Sequence, residues 1–414
     1  MFCSLVSNLA IAIALCSLNT LAAQCTAPAL LNAQENIWKI RTLHPTSLYR
    51  RKVEEAVKAI KDEELKIQAS TVADFGTFTW IKSLEDIQAI SSIADEVPCG
   101  EILGLVLDNL PYKNAVPDGS SPPYDTSTED EYRSLYIEPL AAVVKAHPTT
   151  AFAVVVEPGT FPQYFNASSG STILVHDRNL LRSYRANIPV ALQGLNLPNA
   201  ILYLDVGHSN SLDWSYLRNH TADLFAEMYR FSGRPAQIRG FATNVGNWNG
   251  WDLAPGEFAR ADDSRDIRPS NEKNFIHILS SALQARGLSM HAILDTSRNG
   301  VIGLRYTWDE WCNVNGAGLG VRPSAETGDD AVDAFVWVKR PGESDGVSSE
   351  RGGDEVGCAA RSALRPAPER GAWFQWFFEM LVRNAKPKLT ASMNADVLSE
   401  ENGVFHDFQD ACKD

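Results

Sequence analysis

The chain has 414 residues, 44% of them hydrophobic, enough for one large α/β domain with a substantial core. Lys and Arg total 37 against 51 Asp and Glu, a net charge of −14. That balance argues against nucleic acid and anionic membranes as partners, and it suits a soluble, secreted protein acting on a neutral substrate.

Residues 1–23 carry no acidic or basic side chain, and "LVSNLAIAIALCSLNTLAA" is apolar and ends in small residues. The pattern predicts a signal peptide cut near Ala22 or Ala23, hence an extracellular location. No later run reaches transmembrane length. Of seven cysteines, Cys3 and Cys16 leave with the signal, and Cys25, Cys99, Cys312, Cys358 and Cys412 remain. Secretion favours disulfides, and an odd number leaves one thiol over. "NAS" at Asn166 and "NHT" at Asn219 are glycosylation sequons.

Short apolar runs then recur in chain order: "TFTWI" (77–81), "ILGLVLDNLP" (102–111), "AFAVVVEPG" (151–159), "AILYLDVGH" (200–208), "IRGFATNVGN" (238–247), "HAILDTSRNG" (291–300) and "AFVWVK" (334–339). Amphipathic stretches separate them. Continuous apolar strands alternating with helices imply a parallel sheet covered by helices. Seven such units without a composition break predict one closed or nearly closed barrel over 24–387. The polar, acidic stretch 388–414 is read as a peripheral tail.

Function in such an architecture sits at the strand C-terminal ends. Asp108, Glu157, Asp205, His208, Asn244, Asp295, Arg298 and Lys339 all fall there. Singly, each reads as a residue holding a loop; as a ring, they predict a shared pocket. No metal-ligand spacing occurs, and no cofactor is expected. A copper-dependent oxidative enzyme is rejected, since the mature chain would begin near Gln24 or Cys25 rather than at a His.

Six motifs in order, "YLDVGH", "RGFATNVGNWNGW", "DTSRNG", "WCNVNGAGLGVRPS", "DAFVWVKRPGESDG" and "GAWFQWFFEMLVRNAKP", resemble glycoside hydrolase family six, the family of fungal cellobiohydrolase II and bacterial endoglucanases. The resemblance runs from about Asn36 to Pro387. It implies a distorted seven-stranded parallel (β/α) barrel whose loops enclose a tunnel or cleft for β-1,4-glucan. It also implies inverting hydrolysis, in which an acid protonates the leaving oxygen and a water is activated on the opposite face. A monomer is expected.

The resemblance breaks on the acid side. Where the family reads Glu-Pro-Asp, with that Asp the general acid, this chain reads Glu157-Pro158-Gly159. "DNLPYKN" stands for the family's "YDLPDRD", so an assisting Asp becomes Asn114, an Arg becomes Lys113 and a Tyr beneath the reacting sugar becomes Asp108. The opposite side keeps Lys339, Glu343 and Asp345, the last matching the residue usually proposed as base. The resemblance also implies a Cys312–Cys358 disulfide bracing the loop over the tunnel. Sugar contacts are expected from Trp311, Trp214, Lys339, Glu343, Asn244 and His208, whereas Trp248, Trp251, Trp373 and Trp376 are read as core. Gly cannot donate a proton, and losing a positioned acid typically forfeits about 10²–10⁴ in rate. Two readings stay open: a glucan-binding protein with ordinary hydrolysis lost or impaired, and an active glucanase whose acid has moved, with Asp108 as candidate.

Overall fold

The apolar runs form parallel strands because both of their faces are covered. The structure is a computed structural model describing residues 25–113, 129–169, 175–209, 215–252, 271–307, 310–349, 352–353 and 356–390. The strands are β1 (Thr42–Leu43), β2 (Thr79–Ile81), β3 (Glu101–Leu107), β4 (Ala151–Val156), β5 (Ala200–Asp205), β6 (Ile238–Thr243), β7 (His291–Asp295) and β8 (Val332–Val336). From β3 to β8 each pairs in parallel with the next. β1 and β2 share one position, pairing with opposite ends of β3: Thr42 with Glu101, and Trp80 with Val106. Seven positions result, as the sequence predicts. The two-residue β1 is an addition that no apolar run announces.

Alternation sorts the side chains. In β4, Ala151, Ala153 and Val155 join Ile102, Val106, Ile201, Tyr203, Ala242, Ile293 and Val336 in the barrel interior. Phe152, Val154 and Val156 face outward into a larger cluster with the helices Glu138–Ala146, Val175–Gly194 and Glu272–Gln284. Neither face meets water, so the sequence shows unbroken apolar runs instead of an alternating pattern.

No ladder among the described residues joins β8 to β2. The Phe78 N–H donates to the Trp337 carbonyl at 3.2 Å. Trp80 Nε1 donates to the Val338 carbonyl at 2.9 Å, and Arg340 Nε to the Phe78 carbonyl at 3.1 Å. The barrel is therefore nearly closed.

Two disulfides form among the described residues. Cys312–Cys358 forms as the resemblance implies, with an S–S length of 2.03 Å. Cys25–Cys99, at 2.06 Å, settles a pairing the sequence left open. Cys412, Asn114 and Trp214 lie outside the described residues. Asn219 is exposed on the helix Ser215–Phe231. Among the described residues, no helix is long and apolar enough to cross a membrane, and no group of His, Cys, Asp and Glu could hold a metal ion.

Candidate active site

The parallel register brings the strand C-termini to one rim, and two charged groups of opposite design occupy it. The first surrounds β3, β4 and β5. The β4 alternation stops at Val156, because Glu157 adopts φ +51°. A left-handed conformation is strained for a residue with a side chain, and such strain gathers at functional rims. The turn sends the Glu157 carboxylate into a buried niche. There it accepts hydrogen bonds from the Tyr132 hydroxyl (2.9 Å) and the Asn109 N–H (3.1 Å), with Lys113 Nζ at 3.4 Å. Burial raises the Glu157 pKa, opposed by Lys113. The strand periodicity that would place Glu157 on the same face as Gly159 does not extend that far.

Lys113 also forms a close ion pair with Asp108. Burial pushes the Asp108 carboxyl up, but Lys113, Lys82 and Arg370 outweigh it and hold it below the ordinary range. Asp108 is thus an ion-paired carboxylate with no proton to give near neutral pH. Gly159 is exposed at φ +77°, and a Cβ built on it would meet no heavy atom of the described residues within 4 Å.

Behind that position lies Asp205, 1% exposed. Its Oδ1 accepts the Gly159 N–H (2.9 Å) and the Gly207 N–H (3.0 Å), while Oδ2 has no hydrogen-bond partner among the described residues. Burial, opposed by those two N–H donors and by Lys113, pushes its pKa up to about 7. A raised folded pKa contributes stability that is fully present below the unfolded value and lost as pH rises through the folded one. Asp205→Asn mimics the protonated form, so it should be near neutral for stability at about pH 4 and increasingly stabilising toward about pH 8. The gap is on the order of 4 kcal/mol at most, since each pKa unit is worth 1.36 kcal/mol. Denaturant melts of both proteins across that range test this; parallel pH curves would contradict it.

The second group surrounds β7 and β8. Arg298 holds Asp345 with two bonds from Nη1, 2.8 Å to Oδ1 and 2.7 Å to Oδ2. The Asn313 N–H adds a bond of 2.9 Å, and Lys339 Nζ stands 3.5 Å away. Burial would raise the Asp345 pKa; Arg298 and Lys339 override it and hold the carboxyl low. Asn313 returns a bond by accepting the Asp345 N–H at 2.8 Å, and it directly follows the disulfide residue Cys312. The disulfide therefore anchors the loop that carries Asp345. Glu343 is 8% exposed, bonded by Lys52 (3.1 Å) and near Arg340 (3.4 Å), and these cations with Lys339 keep its pKa low against burial.

The remaining expected contacts divide. Asn244, at φ +60° and fully buried, spends its amide on the turn: Nδ2 donates to the Asp295 carbonyl (2.9 Å) and the Asn249 carbonyl (3.2 Å), and Oδ1 accepts the Asn249 N–H (3.1 Å). The His208 ring lies 3.3 Å from Asn249 Nδ2, and burial followed by Arg305 lowers its pKa to about 3, so it is neutral. Trp311 is half-buried at the rim, with Arg370 5.3 Å over its ring. Trp248 is core, as expected, whereas Trp376 is 62% exposed and corrects the core reading. Trp80 is the residue that sequence reasoning missed. It is half-buried on β2, with Lys82 at 5.4 Å and Lys339 at 5.9 Å from its ring centroid. An indole with its face toward polar groups is a pyranose-stacking arrangement. Within "TFTWI" it could not be told from a core aromatic.

The family model described as "Glycosyl hydrolases family 6" matches residues 38–385. The 1,4-beta-D-glucan cellobiohydrolase CEL6C of Podospora anserina is 42% identical over 369 residues, covering 89% of this chain and 92% of that protein. Among solved structures, the catalytic core of the cellobiohydrolase Cel6A from Chaetomium thermophilum is 32% identical with a TM-score of 0.76, covering 85% of this chain and 99% of that one. The Humicola insolens cellobiohydrolase Cel6A in complex with methyl-tetrathio-alpha-d-cellopentoside is 30% identical with a TM-score of 0.78, covering 87% and 100%.

Proposed function

The chain belongs to glycoside hydrolase family 6, and from that premise we propose that it is secreted and binds β-1,4-glucan, with ordinary inverting hydrolysis lost or strongly impaired. Inversion needs a carboxylic acid on one side of the bond and an activated water on the other. One observation carries the reading: the acid position is Gly159, which has no side chain to give a proton and whose Cβ position meets no heavy atom of the described residues within 4 Å. Asp108, the replacement the sequence offers, is committed to Lys113. The other side, with Asp345, Lys339 and Glu343, keeps its carboxylates ionised and anchored. The glucan inference is supported by relatives that are cellobiohydrolases and by a rim carrying Trp80 and Trp311.

Product analysis on cellotetraose at high protein concentration, paired with calorimetric binding of the same sugar, tests this. Binding without turnover is expected. Trp311→Ala should weaken binding by about 1–3 kcal/mol, the scale of a lost aromatic contact; unchanged affinity would remove Trp311 from the site. The second reading, an active enzyme with a moved acid, is favoured by Asp205, the carboxyl nearest the gap that stays protonated toward neutral pH. Turnover in the wild type that disappears in Asp205→Asn with binding retained would establish it.

A further inference from the structure

The charges around Trp80 do not balance. Asp108 is taken by Lys113, Asp345 by Arg298, and Glu343 by Lys52 and Arg340. Lys339 has only a 3.5 Å share of Asp345, which Arg298 already holds with two bonds. Lys82 has no carboxylate within ion-pair distance among the described residues, and its ammonium instead lies 5.4 Å from the Trp80 centroid. The same ring has the Lys339 ammonium at 5.9 Å. Two cations thus flank one indole, and the indole is fixed by its 2.9 Å bond to the Val338 carbonyl.

This excess runs against the chain as a whole, whose net charge is −14. Its effect registers on Lys339: burial lowers the ammonium's pKa and Arg298 and Lys82 add to the lowering, against Asp345 and Glu343, which raise it. Like charges brought together in a half-buried site call for an anion. A neutral sugar offers these ammonium groups hydroxyls but no compensating charge. A carboxylate on a ring stacked over Trp80 would supply it, in a site where water screens the attraction only in part. Lys82 itself is well held: its backbone N–H donates to Asp86 Oδ2 at 2.8 Å, beside the Ser83 cap of the helix Leu84–Ala94. The side chain is free to serve a ligand while the backbone serves the helix.

We propose that the site selects β-1,4-glucan chains bearing a carboxylate, held between Lys82 and Lys339 over the face of Trp80. The proposal rests on the glucan reading above and narrows its substrate class. The carboxylate has two chemical sources, an aldonate at C1 of the reducing end or a uronate at C6.

Three probes separate the cases: cellotriose, its C1-oxidised acid and its C6-oxidised acid, titrated by calorimetry at about pH 6 in low salt and in about 0.5 M NaCl. At least one acid should bind about tenfold or more tightly than cellotriose in low salt, with the advantage shrinking in high salt. The acid that gains identifies the source. Lys82→Gln should weaken binding of the preferred acid by a much larger factor than binding of cellotriose and so remove most of the preference, and Lys82→Arg should retain it. Thermal melts confirm that each variant is folded. Equal binding of all three sugars would overturn the proposal and leave the glucan reading standing, as would a preference untouched by Lys82→Gln. Failure of all three to bind would overturn both.

Discussion

Gly159→Asp combined with Asn114→Asp should raise cellotetraose hydrolysis by about 10²–10⁴-fold over wild type, the span that a positioned general acid supplies. On the proposed reading Asp345 takes the receiving side of the reaction, where Arg298 and Asn313 anchor it. Among the described residues no heavy atom lies within 4 Å of the new side chain's Cβ position. Its backbone is less welcoming: φ is +77°, which costs a side-chain-bearing residue about 1–2 kcal/mol, although Asp is among the residues that tolerate the left-handed region best. Asp205, whose Oδ1 accepts the residue's own N–H, would lie beside the new carboxyl. Two neighbouring carboxyls raise one another's pKa, which favours the protonated form an acid needs. The double change should exceed either single one, and melting curves must show folded variants before rates are compared. A folded double variant with wild-type turnover would place the defect elsewhere.

Arg298→Met should destabilise the protein by about 3–5 kcal/mol, the cost of leaving a buried charge without its partner. Three losses coincide: both bonds to Asp345, the bond to the Gly246 carbonyl, and the guanidinium's contact 3.9 Å from the Trp248 centroid. Asp345 has a depressed pKa when folded, so the stability it contributes is present above its unfolded value and lost as pH falls through the folded one. The deficit of the variant should therefore be largest near neutral pH and narrow as pH falls, first as the variant's Asp345, without Arg298, takes up a proton and then as the wild-type carboxyl does. Chemical denaturation at several pH values measures it. A deficit independent of pH would mean that packing on Trp248, rather than charge, sets the cost.

The barrel was legible because burial on both faces writes itself as uninterrupted apolar runs, and all seven became strands or lay against one. β1 was not, since two residues paired to the end of β3 carry no periodic signal. At the site, residue types were legible but partnerships were not. Asp108 and Lys113 stand five positions apart in an irregular loop, and only the fold shows that one neutralises the other. Asn244 looked available for a sugar until its positive φ committed the amide to its own turn. Trp80 and Trp376 erred in the same direction. A strand tryptophan was absorbed into a core run and a helix tryptophan was assigned to the core, because an indole's type says nothing about which way its element faces.

The seam between β2 and β8 carries one further consequence. It is stitched by one backbone hydrogen bond from Phe78 to Trp337 and by side chains reaching across, Trp80 among them. From β3 to β8 every neighbouring pair is joined by a parallel ladder, so this is where the wall should breathe most readily. Trp80 sits on one lip and Lys339 on the other. A sugar held by both would act as a clasp, closing by its own contacts the one joint that the backbone leaves loose. Occupancy and stiffness of the barrel would then rise together, and ligand affinity would include the work of holding the wall shut.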